Sequence, residues 1–523
     1  MSAAEREASW NDCLTRLVSI GRTAGVRLVS EWYRPRGAGR ARFYDPTVLA
    51  ETVERELKLV AKKSLVWPPD LPGEPLEPRV FDSIYLDTPR RSLARSGITL
   101  RRRVENGSSL WQLKLPAGAA RRELEIAGRK ALPRELRALL RAHLACGSLE
   151  QLATLRTERS GIRVHTNGRA VADVVLDEVD AVAAAGRATR FRELEIELVD
   201  GDEQELLALR QALVAAGARA TPLRPKLHRV LDRREASAPD RTAPPIEHVR
   251  HAIRRHLGLL LARDVALRLG YGVEDLHDFR VATRRLRAVL RAARSLLGAE
   301  RIEPLRGELG WLGSQVGPAR DLDVMLEELA WELEALPAAD RSAGDDIVDL
   351  IATNVPAARA GLARVLASRR YALLVVALDE LAHDASPAVA KGSVLDLARR
   401  DFRQLAKAIA ALGANPPDDA LHAARIRVKR ARYSAELAGP LAPRPVERLV
   451  DSLKELQDTI GRHQDAAVLD ERLRQAARAA DTPAVGLVAG MLVERQRQRR
   501  AEARAAVPAA WPRVARAAKK VFD

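Results

Sequence analysis

Cysteine is nearly absent: Cys13 and Cys146 are the only two in 523 residues. So few thiols exclude a disulfide framework or a cysteine-rich metal site and fit a reducing compartment. Aromatic residues are scarce too, at 4% of the chain. Single-stranded nucleic-acid binders stack bases on aromatic rings, so nucleic acid is disfavoured as a partner; duplex binders, which work through phosphates, are not excluded by that count. No stretch approaches the roughly 20 continuous apolar residues that span a bilayer. The first residues, MSAAEREASWNDCL, lack the apolar centre of a signal peptide. The expected setting is cytoplasmic, with no membrane partner.

What the chain has instead is charge. Hydrophobic residues make up 47% and charged residues 30%, which suits a globular protein with a sizeable core. The formal charge of +17 and pI near 10.4 create a field that attracts polyanions. The length implies more than one core.

The pattern changes along the chain. Residues 1–51 carry Trp10, Trp32 and Tyr33 but no assignable pattern, and are read as an N-terminal extension. Residues 52–235 alternate residue types at period two in ETVERELKLVA, FDSIYLDT, ITLRRRV, SLWQLKLP, RRELEIAG, AVADVVLDEV and TRFRELEIELV. That alternation predicts antiparallel strands, with helices at LPRELRALLRAHLA and EQELLALRQALVAAG. Prolines 68, 69, 72, 75 and 78 are assigned to one loop after the first strand. Residues 236–245, ASAPDRTAPP, read as a linker. From 246 to 515 strand signals vanish and apolar residues recur at helical spacing. The fold class is α+β and multidomain, with a helical C-terminal domain.

Alternation places Glu54, Glu56 and Lys58 on one strand face opposite Leu57 and Leu59. Glu193, Glu195 and Glu197 share a face, as do Arg101 with Arg103, and Arg121 with Glu123 and Glu125; Lys114 stands between Leu113 and Leu115. If the leucines face outward onto helices, the charges line a lumen. Clustered carboxylates then hold hard divalent cations, and the basic residues neutralise phosphate.

Glu54-x-Glu56-x-Lys58 resembles the signature of the CYTH, or triphosphate tunnel metalloenzyme, superfamily. YLDT at Tyr85, LRRR at Leu100, LKLP at Leu113, RRELE at Arg121, LDEV at Leu176, ELEIEL at Glu193 and PKLHR at Pro225 follow in family order. The resemblance implies an eight-stranded β-tunnel with flanking helices that hydrolyses a linear triphosphate. It implies Glu54, Glu56 and Lys58 as catalytic residues, and Glu54, Glu56, Glu195 and Glu197 as ligands of Mg²⁺ or Mn²⁺. Lys58, Arg101, Arg103, Lys114, Arg121, Arg159 and Lys226 would grip phosphates. Arg159 lies in the loosest match, LATLRTERSG.

The helical half repeats itself. LHDFRVATRRLRAVL from Leu276 matches LHAARIRVKRARYSAEL from Leu421, and further on Gly317 and Asp321 match Gly461 and Asp465. Two repeated helical halves follow. His277, Arg280, Arg284 and Arg287 fall on one helix face, and His422, Arg425, Lys429 and Arg432 repeat the spacing. The cations beside the histidines argue against a metal site there. This half resembles the CHAD, or conserved-histidine α-helical, family, which implies binding of long-chain polyphosphate through both stripes and association with polyphosphate granules. Lys429 stands where the first copy has Arg284, so bidentate geometry is lost there.

The leading expectation is a metal-dependent inorganic triphosphatase with a polyphosphate-binding module. The alternatives are a non-catalytic polyphosphate or granule protein, a thiamine triphosphatase, or a class IV-type adenylate cyclase. The cyclase needs a nucleobase pocket, which the sequence does not display.

Overall fold

The computed structural model describes residues 49–522 except 62–64, 66–70, 118–119, 129, 221–225, 232–238, 271, 389–391, 414 and 481. Trp10, Trp32 and Tyr33 therefore lie outside the described residues.

Among the described residues the N-terminal region is an antiparallel sheet of ten strands, not the expected eight. They are β1 (Ala50–Glu54), β2 (Glu56–Val60), β3 (Gly73–Asp87), β4 (Thr99–Glu105), β5 (Ser108–Ala117), β6 (Ala120–Ala127), β7 (Glu150–Thr166), β8 (Arg169–Ala183), β9 (Ala188–Leu198) and β10 (Arg219–Ala220). Between them lie helices α1 (Ser92–Arg95), α2 (Arg134–Leu139), α3 (Arg141–Ala145), α4 (Glu203–Ala215) and α5 (Lys226–Val230). The hydrogen-bonded order is β1-β6-β5-β4-β3-β7-β8-β9-β2-β10, so pairing among the described residues does not close the sheet. The reason is Arg55. The expected first strand splits there: Glu54 pairs opposite Arg121 of β6, whereas Glu56 pairs opposite Glu197 of β9. A single residue thus joins regions near the two margins of the sheet, and its carbonyl accepts from Leu198 N at 3.0 Å.

Other expectations shift locally. The first described strand begins at Ala50, and Leu49 before it is buried. Pro75 and Pro78 lie within β3 rather than in a loop, flanking a register shift between Leu76 and Arg79. Such an irregularity tolerates residues that cannot donate to a ladder.

The leucines face helices, as the alternation predicts. Leu100, Leu113 and Leu124 pack with Leu136, Leu139 and Leu140 and with Val265 and Leu269 from the helical half. Leu59, Leu194 and Ile196 pack with Leu206 and Leu213 of α4. Each such buried leucine stabilises by roughly 1.5–3 kcal/mol. The opposite face carries the charges. At one end it becomes apolar, where Tyr85, Leu155 and Val179 meet Leu227 and Val230 of α5.

The helices that follow are α6 (Pro245–Arg268), α7 (Val273–Ala292), α8 (Arg294–Leu297), α9 (Ala299–Glu334), α10 (Arg341–Ala352), α11 (Val355–Ala367), α12 (Arg369–His383), α13 (Val394–Ala410), α14 (Asp418–Leu437), α15 (Pro443–Arg478) and α16 (Pro483–Phe522). Helix α16 runs to Phe522, which packs on Phe402 with centroids 5.6 Å apart. The repeat-bearing helices have matching lengths: α7 and α14 have 20 residues each, α9 and α15 have 36.

The chain divides into two compact units. In one, described over Gly317–Leu362 and Gly461–Ala506, Leu329, Ile347, Leu473 and Leu492 form the core. The other holds the sheet and the remaining helices, and in it sheet and helices are locked together. Asp379 of α12, 1% exposed, accepts from Arg90 Nη1 at 2.9 Å and Arg95 Nη2 at 2.6 Å, both beside α1. Arg95 also contacts His383 Nε2 at 3.0 Å. Gly258 of α6 sits so close that a Cβ there would lie 2.7 Å from the Arg95 carbonyl oxygen.

Candidate active site

Three groups of side chains share the charged face. The first is a buried ion network. Lys58 meets Glu195, Glu56 at 3.1 Å and Glu193 at 3.4 Å. Lys226, delivered by α5, meets Asp177 and, at 3.1 Å, Glu195. Arg159 reaches Asp177 at 2.7 Å, Glu195 at 2.6 Å and Glu197 at 3.0 Å, while Arg229 holds Glu193 at 2.7 Å. Burial opposes the charge on Lys58, but Glu195, Glu56 and Glu193 outweigh it and raise its pKa well above the ordinary lysine value. Burial likewise works against the Glu195 carboxylate, yet Lys226, Lys58 and Arg159 hold its pKa well below the usual range.

The second group is acidic. Oxygens of Glu54, Glu56 and Glu197 lie within 4.8 Å of one another, close enough to share one cation. Burial pushes the pKa of Glu197 up; Arg159 opposes this, and Glu195, Glu54 and Glu56 add to it. Each of the three has one cation beside it, Lys114, Lys58 and Arg159 in turn, and their mutual crowding suits a hard divalent ion. Glu195, expected as a fourth ligand, is not in the cluster. It stands opposite Lys58 in the register, whereas Glu197 stands opposite Glu56. Its charge is met by three cations, Lys58, Lys226 and Arg159.

The third group is basic. Arg101 donates to Gln112 Oε1 at 2.7 Å and Tyr85 Oη at 3.3 Å and lies 3.6 Å from Glu123. Lys114 bridges Glu54 and Glu123. Arg103 and Arg121 form no ion pair among the described residues. Burial first, then Arg101 and Arg159, lower the pKa of Arg103 to about 10. The expected phosphate ligands therefore share one face but differ: Lys58, Arg159 and Lys226 are clamped by carboxylates, while Arg103 and Arg121 carry no ion pair among the described residues. Sequence reasoning left out Asp177, Gln112, Tyr85 and Arg229. Asp177 had a signal, as the acid in LDEV that alternates with buried Leu176 and so falls on the face opposite the helix-packed core.

On the helices, Arg280, Arg284 and Arg287 line a cavity of about 210 Å³ with Thr283 and with Leu309, Gly310, Gly313 and Ser314 of α9. The second stripe contributes nothing to that lining. Arg432 is buried, 3.5 Å from Glu436 and over the Tyr433 ring at 4.8 Å. Arg284 donates to Tyr433 Oη at 3.2 Å, so α7 and α14 meet there. His277 and His422 are exposed rather than core residues. No described helix is long and apolar enough to cross a membrane.

Comparison with known proteins agrees with this division. The CYTH domain model matches residues 52–222 and the CHAD domain model residues 251–474. The sheet is thus a CYTH domain, of the triphosphate tunnel metalloenzyme superfamily, and a CHAD domain follows it. An uncharacterized protein in two strains of Mycobacterium tuberculosis is 32% identical over 477 residues, covering 85% of this chain and 91% of its own. The chain belongs to the family of proteins that join a CYTH domain to a CHAD domain. Among solved structures, PptA from Streptomyces chartreusis is 23% identical and covers 52% of this chain and 100% of its own, with a TM-score of 0.44. The CHAD domain of the plant Ricinus communis is 26% identical over 53% of this chain and 95% of its own, also at TM-score 0.44. HpAC1 from Hippeastrum, in which a triphosphatase activity is dominant, is 14% identical over 35% of this chain and 97% of its own, with a TM-score of 0.26.

Proposed function

We propose that this protein hydrolyses inorganic triphosphate to pyrophosphate and phosphate on the charged face of its CYTH domain, and that its CHAD domain holds long-chain polyphosphate. The observation that carries the reading is the Glu54, Glu56 and Glu197 cluster, set on the same face as Arg101, Arg103, Lys114 and Arg121. Glu54, Glu56 and Glu197 would hold a divalent cation such as Mg²⁺ or Mn²⁺, which would supply positive charge to phosphate oxygens and acidify an attacking water. Arg103 and Arg121 grip phosphate oxygens, and Lys114 gains a phosphate partner beside Glu54. Lys58, Lys226 and Arg159, held by Glu193, Glu195 and Asp177, form the fixed wall against which the substrate is oriented. Water's oxygen forms the new bond to the terminal phosphorus, the bridging P–O bond breaks, and pyrophosphate leaves. On the helices, the Arg280, Arg284 and Arg287 cavity takes phosphate groups of the polymer, an arrangement that suits attachment to polyphosphate granules.

The test offers tripolyphosphate, thiamine triphosphate and ATP with Mg²⁺ or Mn²⁺, scoring phosphate, pyrophosphate and cyclic AMP. Glu54→Gln combined with Glu56→Gln should abolish phosphate release and spare polyphosphate binding. A double variant that still hydrolyses tripolyphosphate overturns the site. The self-paired state of Lys58, Arg159 and Lys226 favours a second reading, a binding protein without turnover, which release of nothing from any substrate would support.

A further inference from the structure

Phe81 lies on the charged face of β3, 4% exposed, with three guanidinium groups around its ring. Arg103 Cζ stands 4.3 Å from the ring centroid, and Arg79 and Arg159 Cζ each stand 5.9 Å away. Two of these cations have carboxylates. Arg79 is held by both oxygens of Glu105, at 2.7 and 2.6 Å, and Arg159 by Asp177, Glu195 and Glu197. Arg103 has no carboxylate partner among the described residues, and its Nε is buried without an acceptor. A cation in that position needs something to hold it against Arg101 and Arg159. The electron-rich face of Phe81 does so without neutralising it.

We propose that Phe81 is a positioning residue that keeps Arg103 in place and unneutralised for a phosphate, and that this stack selects a triphosphate without a base. This rests on the triphosphatase reading above. A carboxylate at the same place would hold Arg103 equally well, but an incoming phosphate would then have to displace it. The selection follows from what the rings already carry. Phe81 is covered by Arg103, Phe191 by Arg229 at 4.0 Å, and the Tyr85 hydroxyl is engaged by Arg101 at 3.3 Å. These rings on the charged face are engaged by guanidinium groups, so they do not offer a nucleobase the open platform on which bases stack. The chemistry that fits is a linear inorganic phosphate chain.

The test is calorimetric binding of tripolyphosphate and ATP in metal-free buffer, with initial rates on tripolyphosphate in Mg²⁺. Phe81→Leu should weaken tripolyphosphate binding by about three- to tenfold, the range expected for a partly desolvated cation–π contact. The loss should appear in KM with kcat little changed. Phe81→Tyr, which keeps the ring, should restore it, and Arg103→Leu should lose less on the Phe81→Leu background than on the wild type. ATP should bind more weakly than tripolyphosphate. An unchanged Kd in Phe81→Leu, a Tyr variant as weak as the Leu variant, or strictly additive losses overturn the positioning role, and equal affinity for ATP overturns the selection. A wild type that binds no tripolyphosphate overturns both this proposal and the triphosphatase reading; one that binds it equally well as Phe81→Leu overturns only this proposal.

Discussion

Replacing Asp379 with alanine should loosen the CYTH domain from the helices it rests on. The carboxylate is 1% exposed and bridges two cations from the segment around α1, Arg90 at 2.9 Å and Arg95 at 2.6 Å. The two contacts are unequal. The Arg90 side chain is 42% exposed and recovers its hydration once freed, so its contact contributes about 0.5 kcal/mol. Arg95 is 13% exposed and would be left as a poorly hydrated charge beside His383, at about 2–3 kcal/mol. The sum is roughly 3 kcal/mol, which for the unit of roughly 400 residues that holds sheet and helices lowers the thermal midpoint by roughly 3–5 °C. Scanning calorimetry reads this directly, and the buried pair should keep most of its strength at high salt. A double-mutant cycle with Arg95→Leu should recover most of the loss as coupling. A midpoint within about 2 °C of wild type, or no coupling, would refute the reasoning.

His143 and His256 are both depressed to about 3, chiefly by burial, with Arg95 and Arg268 near the first and Arg285, Arg255 and His251 near the second. Their unfolded forms take up protons below about pH 6.5 while the folded forms do not, so stability is present above that pH and is lost as pH falls toward 3, by roughly 1.4 kcal/mol per unit for each histidine. Urea denaturation at pH 7 and pH 5 checks this, and His256→Leu should flatten the slope by about half. Glu195→Gln should lower stability by about 1–3 kcal/mol, because it removes the buried carboxylate that Lys58, Lys226 and Arg159 share while each keeps another partner; Glu54→Gln, at a half-buried position, should lower it less, and equal losses would contradict the division between the ion network and the acidic cluster. Arg284→Ala should weaken binding of long-chain polyphosphate and reduce the salt dependence of what remains, measured by fluorescence anisotropy; unchanged binding at low salt would remove the α7 cavity from the function.

Much of the charged face was legible because residues at period two cannot share a side: Glu54, Glu56 and Lys58 had to oppose Leu57 and Leu59. The division of labour was not legible. Glu195 and Glu197 look alike in ELEIEL, and only the register, which sets Lys58 against the first and Glu56 against the second, makes one a counter-ion and the other a member of the acidic cluster. Strand β7 escaped the alternation because TERSG is polar on both faces and Gly161 interrupts it, so Arg159 could be placed only by resemblance. The Phe81 stack was invisible for the same reason, since its cations come from β3, β4 and β7. In the helices the phase of the first stripe was readable, but not that Arg432 would turn inward to Glu436.

The break at Arg55 has a consequence for how the protein is made. Lys58 and Glu195, which face each other across β2 and β9, are 137 residues apart in the chain, and the acidic cluster joins Glu54 and Glu56 to Glu197 over a similar span. Contacts of such long range form slowly, because the intervening loop must be closed before they stabilise anything. The ribosome has to deliver almost the whole sheet before Glu197 exists to meet its partners. Divalent-ion affinity in the CYTH domain should therefore appear abruptly, as the last step of its folding, and a truncated or stalled chain should have none of it.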